Sequence, residues 1–529
     1  MLPSPTRLST GLSDFAAIRR GGAIYVDKTD MVFELTRLPQ SFFLSRPRRF
    51  GKSLLVSTFE NYFLGRKELF EGLRIYDLEN ATEEPWVEYP IFKFSFSGGE
   101  LVGGVRELEL RIADTLDDIE SRYGLDPGEA RASLAVRLGK DLRLAKSQMG
   151  RSVVVLVDEY DRPLEAVRGG EMEAVRDLLK GFWGILKDKQ ECLRFAFFTG
   201  VTKYQKVSIF SELNNLVEIT SNPDYAALCG LTRREVEGCY PAHVARLAAE
   251  QGMTVDECHA ELARLYDGYH FAWPSEGVYN PYSVLYAFAD RRFGERWFTS
   301  GTPTLLPRRI REEGFDVAAL LRGGIRETES ALADLNPGNM ALVPLLFQTG
   351  YLTLAGPMGR DGRYPLDFPN HEVRHGFTSQ LLPLFAPAMA RDGELSIYSI
   401  REDLLSGDVD ACLRRMRAVY ASLPYERGAP LADPVESTFQ NVIYIVFNLL
   451  GVDARAEVSG ARGVADIVVE TPGHVYVMEF KRDSSPEEAM RQIEARGYAS
   501  RFAATTRRVH LVGVNFSSAM RQIDGWVEK

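Results

Sequence analysis

The chain has 529 residues, with 63 Lys and Arg against 73 Asp and Glu, for a formal net charge of -10. With 45% hydrophobic and 26% charged residues, it has the composition of an ordinary globular protein, long enough for three or four units of roughly 150 residues each. The acidic balance excludes a surface that attracts nucleic acid everywhere and leaves room only for local patches, while five scattered cysteines with no C-x-x-C pair exclude a disulfide framework and argue against zinc.

No run of 18 apolar residues occurs and the first 15 residues lack the apolar stretch of a secretory signal, so a reducing, cytoplasmic location with no membrane span is expected. The first strong pattern is at residues 41–64. Ser41-Phe42-Phe43-Leu44 fits a short buried strand. Ser45–Gly51 (SRPRRFG) fits a loop. KSLLVSTFENYFL then sets Leu55, Phe59, Tyr62 and Phe63 at helical spacing.

The end of that loop, Phe50-Gly51-Lys52-Ser53, matches the end of a phosphate-binding loop, G-x-x-x-x-G-K-[S/T]. Arg46 occupies the position of the first glycine, and Pro47 can stiffen the turn in its place. Strand, loop and helix are the context such a site needs, because backbone N–H groups at a helix N-terminus cradle phosphate. The expected nucleotide-binding set is Arg48, Arg49, Phe50, Gly51, Lys52, Ser53 and Leu54. Arg46, Arg48 and Arg49 read equally as a solvated basic loop or as contacts to phosphate or DNA.

Further strands are expected at Ile91–Phe96, Val153–Val157, Leu193–Phe198 and, more weakly, Leu216–Thr220, with helices over 105–120 and 171–187 between them. That alternation implies an α/β parallel sheet. The third strand runs into Asp158 and Glu159. With ATP in such a site, Asp158 and the Ser53 hydroxyl hold Mg²⁺, Glu159 polarises the attacking water, and Lys52 reaches the β- and γ-phosphates. Thr199, at the end of the next strand, is placed to sense the γ-phosphate. Asp161 reads as a helix-capping or salt-bridging residue.

From about 225 to 425 the pattern is mostly helical, interrupted by a hairpin-like apolar piece, LLFQTGYLTL, at 345–354. The aromatic clusters YDGYHF and YNPYS there read as core packing, with Tyr269 and His270 buried, rather than as platforms for stacked bases. From about 430, a long helix candidate (PVESTFQNVIYIVFNLLG) leads to strands ADIVVE and HVYVMEFKRD, a helix SPEEAMRQIEARGYASRF, and a strand RVHLVGVNF. The expected division is 1–222, 223–425 and 426–529.

The last part carries a second carboxylate pattern. Residues i and i+2 of a strand share a face, so Glu479 and Lys481 project together, and Asp466 on the neighbouring strand can stand beside Glu479. Two carboxylates and a lysine around Mg²⁺ are the parts of metal-dependent phosphodiester hydrolysis. Glu436 can add a third acid. Gln492 and Tyr498 follow on the next helix. The other reading is an ordinary Glu–Lys pair on an exposed sheet edge. Arg491, Arg496, Arg501, Arg507 and Arg508 offer either a nucleic-acid face or a solvated one.

Taken together, DFAAIRRGGAIYVDKTDMVFEL, FLSRPRRFGKSLL, VVVLVDEYDRPL, FFTGVTKY, LYDGYHF, VYNPYSVL, LLFQTGYLTL, LDFPNHEVR, VMEFKRD, QIEARGYA and VGVNFS resemble, nearly end to end, the bacterial family of predicted AAA-type ATPases fused to a C-terminal PD-(D/E)XK nuclease-like domain. The resemblance implies a P-loop ATPase with a parallel sheet, a helical lid and middle region, and a restriction-endonuclease-like α/β domain. In that family the loop itself is RPRRFGKS, so Arg46 is its usual form. The proline of the nuclease signature is Ala465 here. ATP, Mg²⁺ or Mn²⁺ at the nuclease site, a nucleic acid (DNA first) and a homo-oligomer with an arginine supplied in trans are the implied ligands and partners. The catalytic set implied is Glu159, Asp466, Glu479, Lys481 and Gln492, with Ser53, Asp158, Glu436, Asp466 and Glu479 as metal ligands. Three readings stay open: a nucleotide-gated nuclease, a nucleotide switch whose nuclease fold only binds DNA or protein, and an ATPase with a structural tail.

Overall fold

A computed structural model of the chain describes all residues except 1–6, 39, 99–100, 102, 127–132, 168–170, 205–215, 298–308, 311–314, 316, 322, 334, 336–340, 386–388, 422–444, 448, 450–452, 461–462, 503 and 521; at 382–385, 389–397, 421, 453–460, 463–466, and 501 it describes the backbone. The chain divides into two compact units, Met1–Gly301 with Arg326–Glu372, and Thr302–Ile325 with Val373–Lys529. The expected division into 1–222, 223–425 and 426–529 stays a proposal.

In the first unit, β1 (Ser41–Ser45), β2 (Ile91–Ser95), β3 (Val153–Asp158), β4 (Leu193–Gly200) and β5 (Leu216–Glu218) form one sheet in the order β2-β3-β4-β1-β5. Every pairing is parallel. Parallel strands are covered on both faces, and β1 and β3 are buried throughout. Their period of two divides the aromatics. Phe42, Phe195 and Phe197 pack toward Phe59 and Phe63 of the helix Lys52–Phe63. Phe43, Phe94 and Phe198 join a core with Trp183, Leu116 and Leu142 from the helices Gly104–Tyr123, Leu134–Met149 and Glu171–Asp188. All five strands expected from the sequence are present.

The order of the sheet matters for the site. β4 lies between β1 and β3, so the C-terminal ends of the three strands carry, side by side, the loop after Ser45, the acids after Val157, and Thr199. Short strands β6 (Leu231–Thr232), β7 (Val278–Tyr279), β8 (Arg326–Glu327), β9 (Thr353–Leu354) and β10 (Tyr364–Asp367) tie the remaining segments of this unit together. The piece 345–354 is not a hairpin. Leu342–Gln348 is a helix, followed by a turn and β9. Leu342 and Leu346 are buried at i, i+4, a helical spacing that a short apolar run hides.

The second unit is built on a mixed sheet of β11 (Asp453–Gly460), β12 (Gly463–Glu470), β13 (His474–Arg482), β14 (Arg508–Ser517) and β15 (Gln522–Glu528), in that order. Only β13 and β14 are parallel, and a parallel pair requires a crossover; here it is the helix Pro486–Arg496. That helix buries Ala489, Met490 and Ile493, the last two against Val468, Val475 and Val477. It lies so close to β14 that a Cβ on Gly513 would stand 2.4 Å from the Pro486 carbonyl oxygen. β11 and β15 escape the sequence pattern because they are edge strands with charged and glycine positions instead of an apolar run. Of the helix expected over 434–451, only 445–447 and 449 are described, and they are helical.

Candidate functional site

The loop between β1 and the helix Lys52–Phe63 is held from behind. Arg46 is 1% exposed. Its guanidinium donates to the carbonyls of Ser45 (2.8 Å), Thr220 (2.9 Å) and Tyr225 (3.1 Å) and lies 4.3 Å over the ring of Phe271. Burial pulls its pKa down to about 10. Phe50 packs edge-on against Tyr269 and Phe271. The YDGYHF cluster is therefore the seat of the loop. Tyr269 is buried as expected, and His270 is half-buried.

On its front the loop carries the geometry of an anion cradle. Gly51 takes φ +97°, a left-handed conformation open to glycine, and Arg49 takes φ +71°. The helix that follows has no side-chain cap, so the N–H groups of its first turn lack intrahelical partners and aim outward. Lys52 is 6% exposed, and its ammonium donates to the carbonyls of Arg46 (2.8 Å) and Pro47 (3.0 Å). Burial lowers its pKa, against the attraction of Asp161, Asp158 and Glu159.

Beside it is a cleft of about 430 Å³ lined by Lys52, Ser53, Glu159 and Arg48 among others, a volume suited to a nucleotide-sized ligand. Arg49, Gly51 and Leu54 also line it. Glu159 sits at φ +55°, uncommon for a residue with a side chain and a mark of functional sites. Burial raises its pKa above the ordinary carboxylate value. Asp158 and Thr199 do not line the cleft. Asp158 is 5% exposed, and its Oδ1 accepts from the Thr199 hydroxyl at 2.7 Å. Thr199 thus fixes the carboxylate from the intervening strand. Asp161 stands at the N-cap of the helix Arg162–Glu165, but its side chain makes no capping hydrogen bond; its Oδ2 accepts from Val201 N (2.9 Å), Thr202 N (2.6 Å) and the Thr202 hydroxyl (2.8 Å). It is a clamp on the segment after β4, because the sheet brings that segment under the end of β3.

Sequence reasoning missed three contributors to this cleft. Glu165 accepts from Arg48 (3.0 Å) and Arg162 (3.4 Å). Tyr282, at the start of the helix Pro281–Asp290, lies 4.8 Å under the guanidinium of Arg49. Ser9, Gly11, Leu12 and Ser13 line the cleft as well. The Arg162–Glu165 spacing was visible in the chain; the reach of Arg48 and Tyr282 was not.

In the second unit Glu479 is 1% exposed at the C-terminal half of β13. Lys481 donates to Glu479 Oε1 at 3.3 Å and to Gln492 Oε1 at 2.5 Å. The Gln492 amide donates in turn to Glu479 Oε1. The three form a closed triangle across the sheet and its crossover helix. Asp466 is on β12. Ile467 pairs with Met478 in antiparallel register, and one further step sets position 466 across from position 479. Glu436 lies outside the described residues. Tyr498 is not at this centre; it packs in the apolar core with Val468 and Phe502, after Gly497 ends the helix. Among the described residues no cluster of three or more His, Cys, Asp or Glu forms, and no helix is long and apolar enough to cross a membrane.

Residues 9–210 match the model of the predicted AAA-ATPase family, and residues 435–526 match that of the PD-(D/E)XK nuclease superfamily. A protein from Azotobacter chroococcum mcd 1, described as an uncharacterized protein in the vnfD 5' region, is 35% identical over 539 aligned positions, covering 99% of each chain.

Proposed function

Since the chain belongs to the family that joins a predicted AAA-ATPase to a C-terminal PD-(D/E)XK nuclease-superfamily domain, we propose that it binds and hydrolyses ATP and that its nucleotide state gates metal-dependent cleavage of nucleic acid. The observation that carries the first half is the buried Lys52 ammonium. It is held on two main-chain carbonyls beside an uncapped helix start and a 430 Å³ cleft. Neutral carbonyls position the charge without cancelling it, so it remains available to the β- and γ-phosphates.

Ser53 on the cleft and Asp158, whose Oδ1 is held by the Thr199 hydroxyl, are the groups that would hold the implied Mg²⁺, and it would neutralise charge on the phosphates. Glu159, with its raised pKa, orients and polarises the attacking water and accepts its proton. Thr199 keeps Asp158 in place. The Arg46 staple keeps the loop from collapsing into the cleft.

In the C-terminal domain, Asp466 and Glu479 would hold a divalent ion that activates water and stabilises the leaving oxygen. The register that sets position 466 across from 479 supports this. Lys481 orients the water, and Gln492 orients Lys481. The second reading is a nucleotide switch with a non-cutting nuclease fold that binds DNA or a protein. It draws on the Lys481–Glu479–Gln492 triangle, in which Glu479 Oε1 already has two donors without a ligand. Incubating the protein with labelled DNA and RNA, with and without ATP and Mg²⁺ or Mn²⁺, separates the two. Cleavage that disappears in both Asp466→Ala and Lys481→Ala, while ATPase activity persists, supports the nuclease. Nucleotide-dependent binding without cleavage supports the switch.

A further inference from the structure

The three arginines of the loop have three different fates. Arg46 is built into the interior on carbonyls. Arg49 rests on the ring of Tyr282, which lines the cleft together with Leu285. Arg48 meets Glu165 at 3.0 Å, and Arg162 meets the same carboxylate at 3.4 Å. The main chain of Arg48 is fixed as well, because its carbonyl accepts from the Trp297 indole at 3.1 Å. Its guanidinium thus hangs from a fixed point, with one carboxylate holding it.

Glu165 and Arg162 bound the short helix Arg162–Glu165 that directly follows Asp158 and Glu159. Four cations line the cleft (Arg48, Arg49, Lys52, Arg162), and three carboxylates (Glu159, Asp161, Glu165). Asp161 is occupied by Val201 and Thr202. A nucleotide seated on the loop places its α- and β-phosphates against the helix start and Lys52, and its terminal phosphate toward the end of β3. Glu165, which lines the same cleft as Glu159, gathers the two guanidinium groups.

We propose that Glu165 parks Arg48 and Arg162 in the nucleotide-free cleft and that the γ-phosphate of a nucleoside triphosphate takes them over. These two arginines then distinguish triphosphate from diphosphate. The inference rests on the nucleotide reading of the cleft and names the residues of this same chain that recognise the terminal phosphate. An arginine exchanges a single partly buried carboxylate for a phosphate of higher charge, with bidentate geometry available to both guanidinium groups. A diphosphate offers no group at that position, so the parked pairs persist. Glu165 is then a positioning residue, and Arg48 and Arg162 are the groups that touch substrate.

The test is equilibrium binding of a non-hydrolysable ATP analogue and of ADP, each with Mg²⁺, to the full chain and its variants. Arg48→Ala and Arg162→Ala are expected to weaken the triphosphate at least ~10-fold, the value of one charge-assisted hydrogen bond, and to leave ADP affinity unchanged. Glu165→Gln keeps the shape of the side chain and is expected to do the reverse, tightening the triphosphate while ADP stays the same. Should Arg48→Ala fail to fold, Arg162→Ala and Glu165→Gln still decide the matter. Equal weakening of triphosphate and diphosphate in the arginine variants would overturn the proposal, as would a triphosphate that binds more weakly to Glu165→Gln. If the unaltered protein binds neither nucleotide, the nucleotide reading fails and this inference fails with it; if it binds both and only the discrimination persists in the variants, the inference alone fails.

Discussion

Lys52 in the nucleotide cleft is held by two main-chain carbonyls, whereas Lys481 in the C-terminal sheet is held by the side chains of Glu479 and Gln492. Lys52 opens the helix that follows β1 and Lys481 lies near the C-terminal end of β13, and both are candidates to meet phosphate. The difference is in what happens to their charge. Backbone carbonyls orient Lys52 and leave it cationic toward the cleft. Glu479 orients Lys481 and neutralises it. A cation held by the backbone keeps its charge for a ligand; one held by a buried carboxylate also compensates that carboxylate, which without it is left charged in the interior. The two centres should therefore respond differently to loss of their lysine.

The sharpest contrast is in ligand affinity. Lys52→Ala is expected to weaken ATP by at least ~100-fold, the loss of two charge-assisted contacts. Glu159→Gln is expected to retain binding and to lose hydrolysis by roughly 10²–10⁴-fold. Titration of a fluorescent nucleotide and a phosphate-release assay measure the two, and wild-type affinity in Lys52→Ala would remove the basis for the nucleotide site.

Next in size is Arg46→Gly, which restores the first glycine of the usual phosphate loop. Arg46 is 1% exposed and donates to the carbonyls of Ser45, Thr220 and Tyr225, so this change is expected to destabilise the first unit by roughly 3–5 kcal/mol. Chemical denaturation reads it. A more stable variant would show that the loop is held by the aromatic seat alone.

Lys481→Ala tests the other side of the comparison. It is expected to lower the stability of the second unit by about 1–3 kcal/mol, because Glu479 loses its cation. Lys481→Ala with Glu479→Gln should recover most of that loss while activity stays absent. If Lys481→Ala is neutral for stability, the two lysines are not held on different plans.

The smallest effect uses a buried carboxylate outside both sites as a reference. Asp141 is fully buried in the helix Leu134–Met149, and burial, aided by Glu120, pushes its carboxyl up to about 7. A carboxyl raised on folding favours the folded state when protonated, so the stability tied to it is present at low pH and is lost as pH rises through the folded value. Asp141→Asn escapes that loss. Its advantage over the parent chain is expected to grow by roughly 1 kcal/mol per pH unit between about pH 5 and 7, as followed by thermal unfolding. A pH-independent difference would mean that Asp141 is ionised in the fold.

Much of this was legible in the linear chain, for a definite reason. The strands of the parallel sheet are continuous apolar runs because both their faces are covered, and the phosphate loop and the acids after β3 are each contiguous. The Glu479–Lys481 pair follows from the period of a strand. What the sequence left undecided is everything that depends on which strand lies next to which. The insertion of β4 between β1 and β3 turns Thr199 toward Asp158 rather than the cleft. The same placement gives Asp161 the segment after β4 to clamp, where its neighbours in sequence suggested a helix cap. Arg46 could be read as a defect or as a solvated charge until Thr220, Tyr225 and Phe271, some 175 to 225 positions away, closed around it. Arg48 and Glu165 are separated by 117 positions. Residue type and local spacing thus determined the kind of chemistry and the elements that carry it. Tertiary structure alone decided which charged groups are neutralised, because a long side chain reaches several ångströms in any direction and only the packed neighbours fix where it ends.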